Sequence, residues 1–294
     1  MLQESLRVIV GVVLFIGLLC LLEIRRELRY FKTTHYIVKS SKLQNLDSEK
    51  KIIFLSDLHN KIYGEKNEQL LQAIKREEPD FILIGGDMLV AKQGVSYSPA
   101  LEFVSKLPAI CPVYYCNGNH EQRMKKNPSK YESSFFEYKE NLCQYGVQFL
   151  ENESIVEVLG EIKIRITGLE LPDKTYQKFG NAALTVKEIQ ERVGKADMQA
   201  YQILLAHHPR YFQTYKEWGA DLVLSGHLHG GIIRLPFLGG MITPQARLFP
   251  KYSGEMTTDG NHTIIVSKGL GTHTVNLRFL NEAELVVIHL KNTK

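Results

Sequence analysis

At 294 residues, 44% hydrophobic and 23% charged, the chain has apolar material for one large globular domain or two small ones. Its 36 basic and 32 acidic residues leave a net charge of +4, too mild to argue for nucleic acid, and no polybasic block, repeat or low-complexity tract is present. Four cysteines, Cys20, Cys111, Cys116 and Cys143, form no Cys-x-x-Cys pair, which argues against a disulfide scaffold or zinc knuckle and suits a reduced compartment.

Val8 to Leu22 carries no polar side chain and is followed at once by the charged run Glu23 to Arg29. At about 1.5 Å per residue it reaches only roughly 22 Å, short of a hydrocarbon core of ~30 Å, unless Leu6 and Ile24 enter and Arg7 and Arg25 snorkel. A cleaved signal peptide wants small residues at its exit, and Leu18 to Leu22 offers none. A core helix is the other alternative, but charged flanks at both ends suit a bilayer better. Residues 1–32 are therefore expected to form a membrane anchor with a basic flank, and 33–294 one domain. Arg25, Arg26, Arg29 and Lys32 after the span outweigh Arg7 before it, so the positive-inside rule places that domain in the cytoplasm.

Alternation around His35 and Ile37 predicts an edge strand. Lys51 to Ser56 then reads as a buried strand ending in Asp57-Leu58-His59. Glu65 to Arg76 has a helical apolar face of Leu70, Leu71 and Ile74, and Phe81 to Ile84 is a second buried strand ending in Gly85-Gly86-Asp87. A helix over Pro99 to Leu107, with Ser98 as N-cap, precedes a third strand, Val113 to Cys116, which ends in Asn117-Gly118-Asn119-His120-Glu121. Ser129 to Tyr145 reads as a long helix. Strands follow at 147–150, 155–159 and 162–167, then a looser stretch with one helix, Val186 to Val193. Tyr201 to Ala206 is a strand ending in His207-His208-Pro209. A helix from Tyr211 to Trp218 leads to Leu222 to Ser225 and then Gly226-His227-Leu228-His229-Gly230-Gly231. Beyond Ile233 the chain reads as loop to Tyr252, with closing strands at 263–267 and 285–290. Strands alternating with helices, then hairpin-like segments, predict an α/β protein with two sheets sandwiched between helices.

Five apolar runs thus end abruptly in Asp, Asn or His. Each ending alone is compatible with a turn or a satisfied polar group, but together they place chemistry beyond the C-terminal ends of strands, where ligands collect in open α/β sheets. The mixed oxygen and nitrogen donors suit Mn, Fe or Zn better than Ca or Mg, and are about enough for two ions sharing a carboxylate.

In order and spacing, Asp57-x-His59, Gly86-Asp87, Gly118-Asn119-His120-Glu121, His207 and Gly226-His227-x-His229 resemble the motif set of the calcineurin-like metallophosphoesterases. The anchor-like start, Gly230-Gly231, Arg234-Leu235-Pro236 and Lys268-Gly269-Leu270-Gly271 are most similar to its bacterial, membrane-associated YkuE/YaeI-like branch. The resemblance implies that fold and a phosphoesterase acting on a phosphomonoester, phosphodiester or diphosphate through a metal-bridging hydroxide. It implies that Asp57, His59, Asp87 and His229 hold one divalent ion and Asp87, Asn119, His207 and His227 a second, Mn being favoured. His120 is then catalytic together with Asp87 and Asn119, standing beside the scissile phosphate rather than binding metal. Many members place Asp or His three residues after the bridging Asp to orient that histidine; here Val90 stands there, so His120 is either oriented by another group or tuned differently. His208 is expected behind His207, and Cys116 as a small buried residue.

Arg234, Lys268 and Arg278 are candidates for holding the rest of a phosphorylated small molecule or lipid-linked substrate, with ordinary surface charge as the alternative, and His273 is a further candidate. The rival function is a non-catalytic member serving as a protein-binding platform at the membrane. A nuclease is disfavoured for want of a basic stripe.

Overall fold

The computed structural model describes residues 1–131, 134–177, 180–235, 239–243, 248–272 and 275–292. Helix α1 (Leu2–Glu27) runs well past the apolar stretch at both ends. Among the described residues it is the one helix long and apolar enough to cross a membrane, and a signal sequence would meet the same criterion. None of its apolar window is buried within the protein, which removes the core-helix alternative.

In chain order there follow β1 (Phe31–Lys39), β2 (Lys50–Leu55), α2 (Glu68–Glu77), β3 (Phe81–Ile84), α3 (Ser98–Val104), β4 (Val113–Tyr115), α4 (Asn119–Lys126), α5 (Phe135–Gln144) and β5 (Val147–Phe149). The second half holds β6 (Ser154–Leu159), β7 (Ile162–Leu169), α6 (Val186–Val193), β8 (Tyr201–Ala206), α7 (Phe212–Trp218), β9 (Leu222–Ser225), the short pair β10 (Arg234–Leu235) and β11 (Gly239–Gly240), then β12 (Glu255–Asp259), β13 (His262–Val266) and β14 (Ala283–Lys291). One six-stranded sheet has the order β1-β14-β2-β3-β4-β5 and the other β12-β13-β9-β8-β7-β6. The expected edge strand is β1, paired in parallel with β14.

Strand side chains alternate between faces, and here both faces are covered, which is why the central strands read as unbroken apolar runs. Ile52, Phe54 and Leu83 of the first sheet meet Ile166, Ile203, Leu205 and Leu224 of the second in the middle layer. Their neighbours Ile53, Leu55 and Ile82 point outward onto Leu70, Ile74, Phe103 and Tyr138 of the flanking helices. On the opposite outer face Leu204, Val223 and Ile264 pack on Ile189, Phe212 and Trp218.

Three local points emerge only in the fold. The Gly118-Asn119-His120 stretch opens helix α4, which sets aside the turn that was its alternative reading. The long helix expected from Ser129 starts only at Phe135, behind a single 3-10 turn at Pro128–Lys130. Strand β12 lies at a sheet edge between the loop that ends at Tyr252 and the strand at 263, where the sequence predicts no element; its side chains are mostly exposed, so it lacks the apolar alternation that would reveal it.

The parallel trio β2, β3 and β4 and the parallel pair β8 and β9 bring five strand ends together. The far end of α1 also reaches this region. Glu27 is 2% exposed and its carboxylate accepts the Asn281 backbone N–H at 2.9 Å. The Asn281 amide in turn donates to the carbonyls of His229 (2.7 Å) and Gly231. The last turn of α1 is therefore packed into the scaffold of the His229 loop, one residue removed from it.

Candidate metal centre

Each sequence-predicted strand end delivers its side chain to one buried cluster. Asp57, His59 and His229 form one group, Asp87, His207 and His227 another, and His59, Asp87 and His120 a third that overlaps both, the potential ligand atoms of each lying within 4.8 Å of one another. His229 Nε2 is 3.3 Å from Asp57 Oδ1 and 3.1 Å from His59 Nε2. His207 Nε2 is 3.1 Å from Asp87 Oδ2 and 3.8 Å from Asp57 Oδ1. Asn119 is buried beside them at the start of α4.

Backbone conformation, which the residue types do not disclose, makes this convergence possible. Asp57, His59, Asp87, His227 and His229 all sit at positive φ, between 48° and 70°. For L-residues that conformation costs roughly 1 kcal/mol each, and such strain persists only where the surroundings over-determine it. Here they do: Asp57 N–H donates to Gly86 O at 2.9 Å, His59 N–H to Asp87 O at 3.0 Å, and Gly226 N–H to His207 O at 3.0 Å, so the loops tie one another down. Gly86 and Gly118 cross so closely that a Cβ on Gly86 would lie 2.0 Å from the Gly118 nitrogen.

The carboxylates are divided between scaffold and centre. Asp57 Oδ2 accepts from Ser56 Oγ at 2.6 Å and from His227 N–H at 3.0 Å, with Oδ1 nearest the histidines. Asp87 Oδ1 accepts the His120 N–H at 2.8 Å, leaving Oδ2 toward His207. Burial alone would raise both carboxyl pKa values, but the neighbouring imidazoles outweigh it and hold both below the usual range. Burial opposes charge on His207 as well, yet Asp87 and Asp57 overcome it and push its pKa up to about 10. Burial, with neighbouring histidines, holds His59 and His227 well below the usual imidazole value. The centre thus demands positive charge close to its two carboxylates.

The donor set fits a cation. His207 contacts the Gly85 carbonyl through Nδ1 at 2.7 Å, so its Nε2 faces Asp87 and the centre, where a cation in place of the ring's second proton would meet the lone pair. That Nε2 and Asn119 Oδ1 are both buried without a hydrogen-bond partner. Buried acceptors are normally satisfied, and two orphaned ones aimed among carboxylates match ligands for a metal ion.

His120 joins the cluster, its ring 4.8 Å from that of His59. Val90 does not orient it; the Ala91 backbone N–H does, donating to Nδ1 at 2.8 Å. The neutral ring then carries its proton on Nε2. His208 stands behind, its ring 4.5 Å from that of His227.

Arg278 is engaged wholly inside the protein, whereas Arg234 and Lys268, paired with Glu255 and Glu284, also line an open cavity of about 520 Å³ beside the last turn of α1. Arg278 donates to the carbonyls of Asn281, Lys268, Gly269 and Gly271 at 2.6 to 3.1 Å, Arg234 to Gly230 O at 2.8 Å and to Glu255, and Lys268 lies 3.4 Å from Glu284. With those bonds made, they brace the loops flanking His229. His273 and Pro236 lie outside the described residues.

One residue whose role the sequence left unread is Glu121. Its carboxylate accepts the backbone N–H groups of Asp87 (2.8 Å), Met88 (2.9 Å) and Gly118 (3.0 Å) and the Tyr115 hydroxyl (2.8 Å). Burial and the nearby Asp87 charge push its pKa up to about 7. Its signal was present: Glu at the third position of a helix characteristically reaches back to the capping residue. Glu121→Ala orphans three backbone donors, so we expect a loss of about 3 kcal/mol in stability and a metal affinity weaker by roughly 10 to 100-fold. Thermal unfolding and metal titration would measure both, and wild-type values would refute the role.

Known proteins agree with this geometry. Residues 50–231 match the model of the calcineurin-like phosphoesterase family. The chain is 28% identical over 274 residues to the uncharacterized metallophosphoesterase YkuE of Bacillus subtilis, covering 91% of this chain and 88% of that protein. It is 30% identical over 252 residues to an uncharacterized metallophosphoesterase of Helicobacter pylori strain J99, covering 84% of this chain but only 61% of the relative. With the phosphodiesterase YaeI of Escherichia coli it shares 24% identity over 243 residues, 82% of each protein. The chain belongs to the calcineurin-like phosphoesterases and is a phosphoric ester hydrolase of the metallophosphoesterase type.

Proposed function

We propose that the chain is a membrane-anchored, binuclear phosphoesterase in which Asp57, His59, Asp87 and His229 hold one divalent ion and Asp87, Asn119, His207 and His227 the other. The observation that carries this reading is the pair of buried carboxylate and histidine groups joined by orphaned His207 Nε2 and Asn119 Oδ1. Mn is the favoured occupant, with Fe or Zn as the alternatives, because the donors mix carboxylate, amide and imidazole. Bound there, two divalent ions supply Lewis-acid charge and an activated water at neutral pH.

The protein's own groups do the rest. Asp57 and Asp87 offset the cations' charge, and the loop hydrogen bonds hold both carboxylates in fixed orientation. His120, with its proton on Nε2, donates to a phosphoryl oxygen or to the departing oxygen. Burial of the cluster limits competing water and strengthens each of these interactions.

The substrate is inferred to be a phosphodiester or diphosphate at or near a bilayer. Support comes from α1 and from the activity by which YaeI is named. The basic residues at the end of α1 favour a cytoplasmic catalytic domain. Full-length protein purified in detergent and stripped of metal should hydrolyse bis-p-nitrophenyl phosphate only after Mn, Fe or Zn is restored. Equal turnover with and without metal, or none under any loading, would overturn the proposal.

A further inference from the structure

Beside the cluster lies a cavity of about 250 Å³ between α4 and the turn that precedes α6, lined among others by Asn119, Gln122, Arg123, Lys126, Asp173 and Tyr176. The four α4 residues are spaced i, i+3, i+4 and i+7, the positions that share one helix face. That face is polar throughout and extends about 10 Å from Asn119.

Two residues lining it carry a buried, unpartnered side-chain atom other than those assigned to the centre: Gln122, 3% exposed, at Nε2, and Tyr176 at its hydroxyl. Tyr176 also borders the centre itself, its ring 5.2 Å from that of His227 and 6.3 Å from that of His207. A buried amide N–H₂ and a phenol without partners cost stability unless a ligand or water satisfies them. At the mouth, Arg123 has no acidic partner among the described residues, and Lys126 is tied only to exposed Asp173, at 2.5 Å. An exposed pair of that kind is worth little and exchanges readily for a better anion. The cavity therefore presents mainly donors, two of them cationic, and shares Asn119 with the centre, so whatever fills it continues directly from whatever the centre holds.

We propose that this cavity receives a second phosphoryl group, attached through the bridging oxygen to the one undergoing attack, and that the substrate class is accordingly a diphosphate diester. Arg123 takes its oxygens as a planar fork, with Lys126, Gln122 and Tyr176 completing the cradle. The inference rests on the phosphoesterase reading above and narrows it. Water adds its oxygen to the scissile phosphorus and the bridging P–O bond breaks. The electron pair stays on the departing phosphate, one water proton goes to solvent or to that phosphate, and two phosphomonoesters result.

The test is direct binding to full-length protein loaded with Mn, freed of excess metal and titrated calorimetrically with methylenediphosphonate and with methylphosphonate. The diphosphonate should bind more tightly, and Arg123→Ala and Gln122→Leu should each weaken it roughly tenfold while methylphosphonate stays within about twofold. Arg123 is exposed, so its substitution is not expected to disturb folding should Gln122→Leu do so. An unchanged diphosphonate affinity in Arg123→Ala, or an equal loss for both ligands, overturns the subsite and leaves the metal centre standing. Failure of either phosphonate to bind the Mn-treated wild type overturns the metal-centre reading and the subsite with it.

Discussion

Asp87→Ala is expected to lower metal-dependent turnover by at least roughly a thousandfold, the equivalent of about 4 kcal/mol of transition-state stabilisation. Asp87 is the side chain placed between the two groups, its Oδ2 3.1 Å from His207 Nε2 and 3.9 Å from His59 Nε2. Without it, four imidazoles surround a space with Asp57 as the sole remaining carboxylate, and a second cation has no anionic ligand. Metal content measured on the purified variant should fall in parallel, while circular dichroism stays native because the sheets do not depend on this side chain. Asp87→Asn separates charge from shape: its amide oxygen can still accept the His120 N–H, so any activity it retains above the Ala variant measures positioning alone. Turnover in Asp87→Ala near the wild-type value would show that the shared ligand has been assigned to the wrong residue.

The second large effect is expected at His120. Its ring is fixed by the Ala91 amide and its main chain by Asp87, and in the proposed assignment the cations are held by other side chains, so its Nε2–H serves the substrate. His120→Ala should therefore keep full metal occupancy and lower kcat by about 10² to 10³-fold, the usual worth of one positioned acid or oxyanion donor. The loss should be larger for an alkyl ester, whose oxygen needs a proton to leave, than for a p-nitrophenyl ester. An equal loss for both substrates would assign His120 to stabilising phosphoryl charge instead, and loss of metal in the variant would make it a ligand.

Much of the fold could be read from apolar runs because burial on both faces of a strand leaves no polar positions. Strands β2, β3, β8 and β9 therefore stand out, and the edge strand β12, largely solvated, does not. Helix α4 was obscured for a different reason: a mean composition as polar as Asn119 to Lys126 buries its start in a functional centre rather than an apolar core, and Gly118 offers no capping side chain. Tyr176 sent no signal at all, lying in an irregular stretch whose importance comes only from the rings it touches. Arg278 shows a second limit of residue type. Cations near phosphate chemistry suggest substrate contacts, but a guanidinium has enough donors to organise a loop by itself, and Arg278 uses its donors on four carbonyls.

Which residue types stand at each strand end, and hence the family and the chemistry, could be read along the chain, because donor atoms and their order are local properties. That five left-handed residues turn those donors toward one point, that a backbone amide stands in for the missing partner of His120, and that Glu27 of the first helix reaches the His229 loop through Asn281 emerges only once the sheets are packed. These depend on backbone dihedrals and on contacts between segments as much as 250 residues apart, which packing of the two sheets selects and no local pattern encodes.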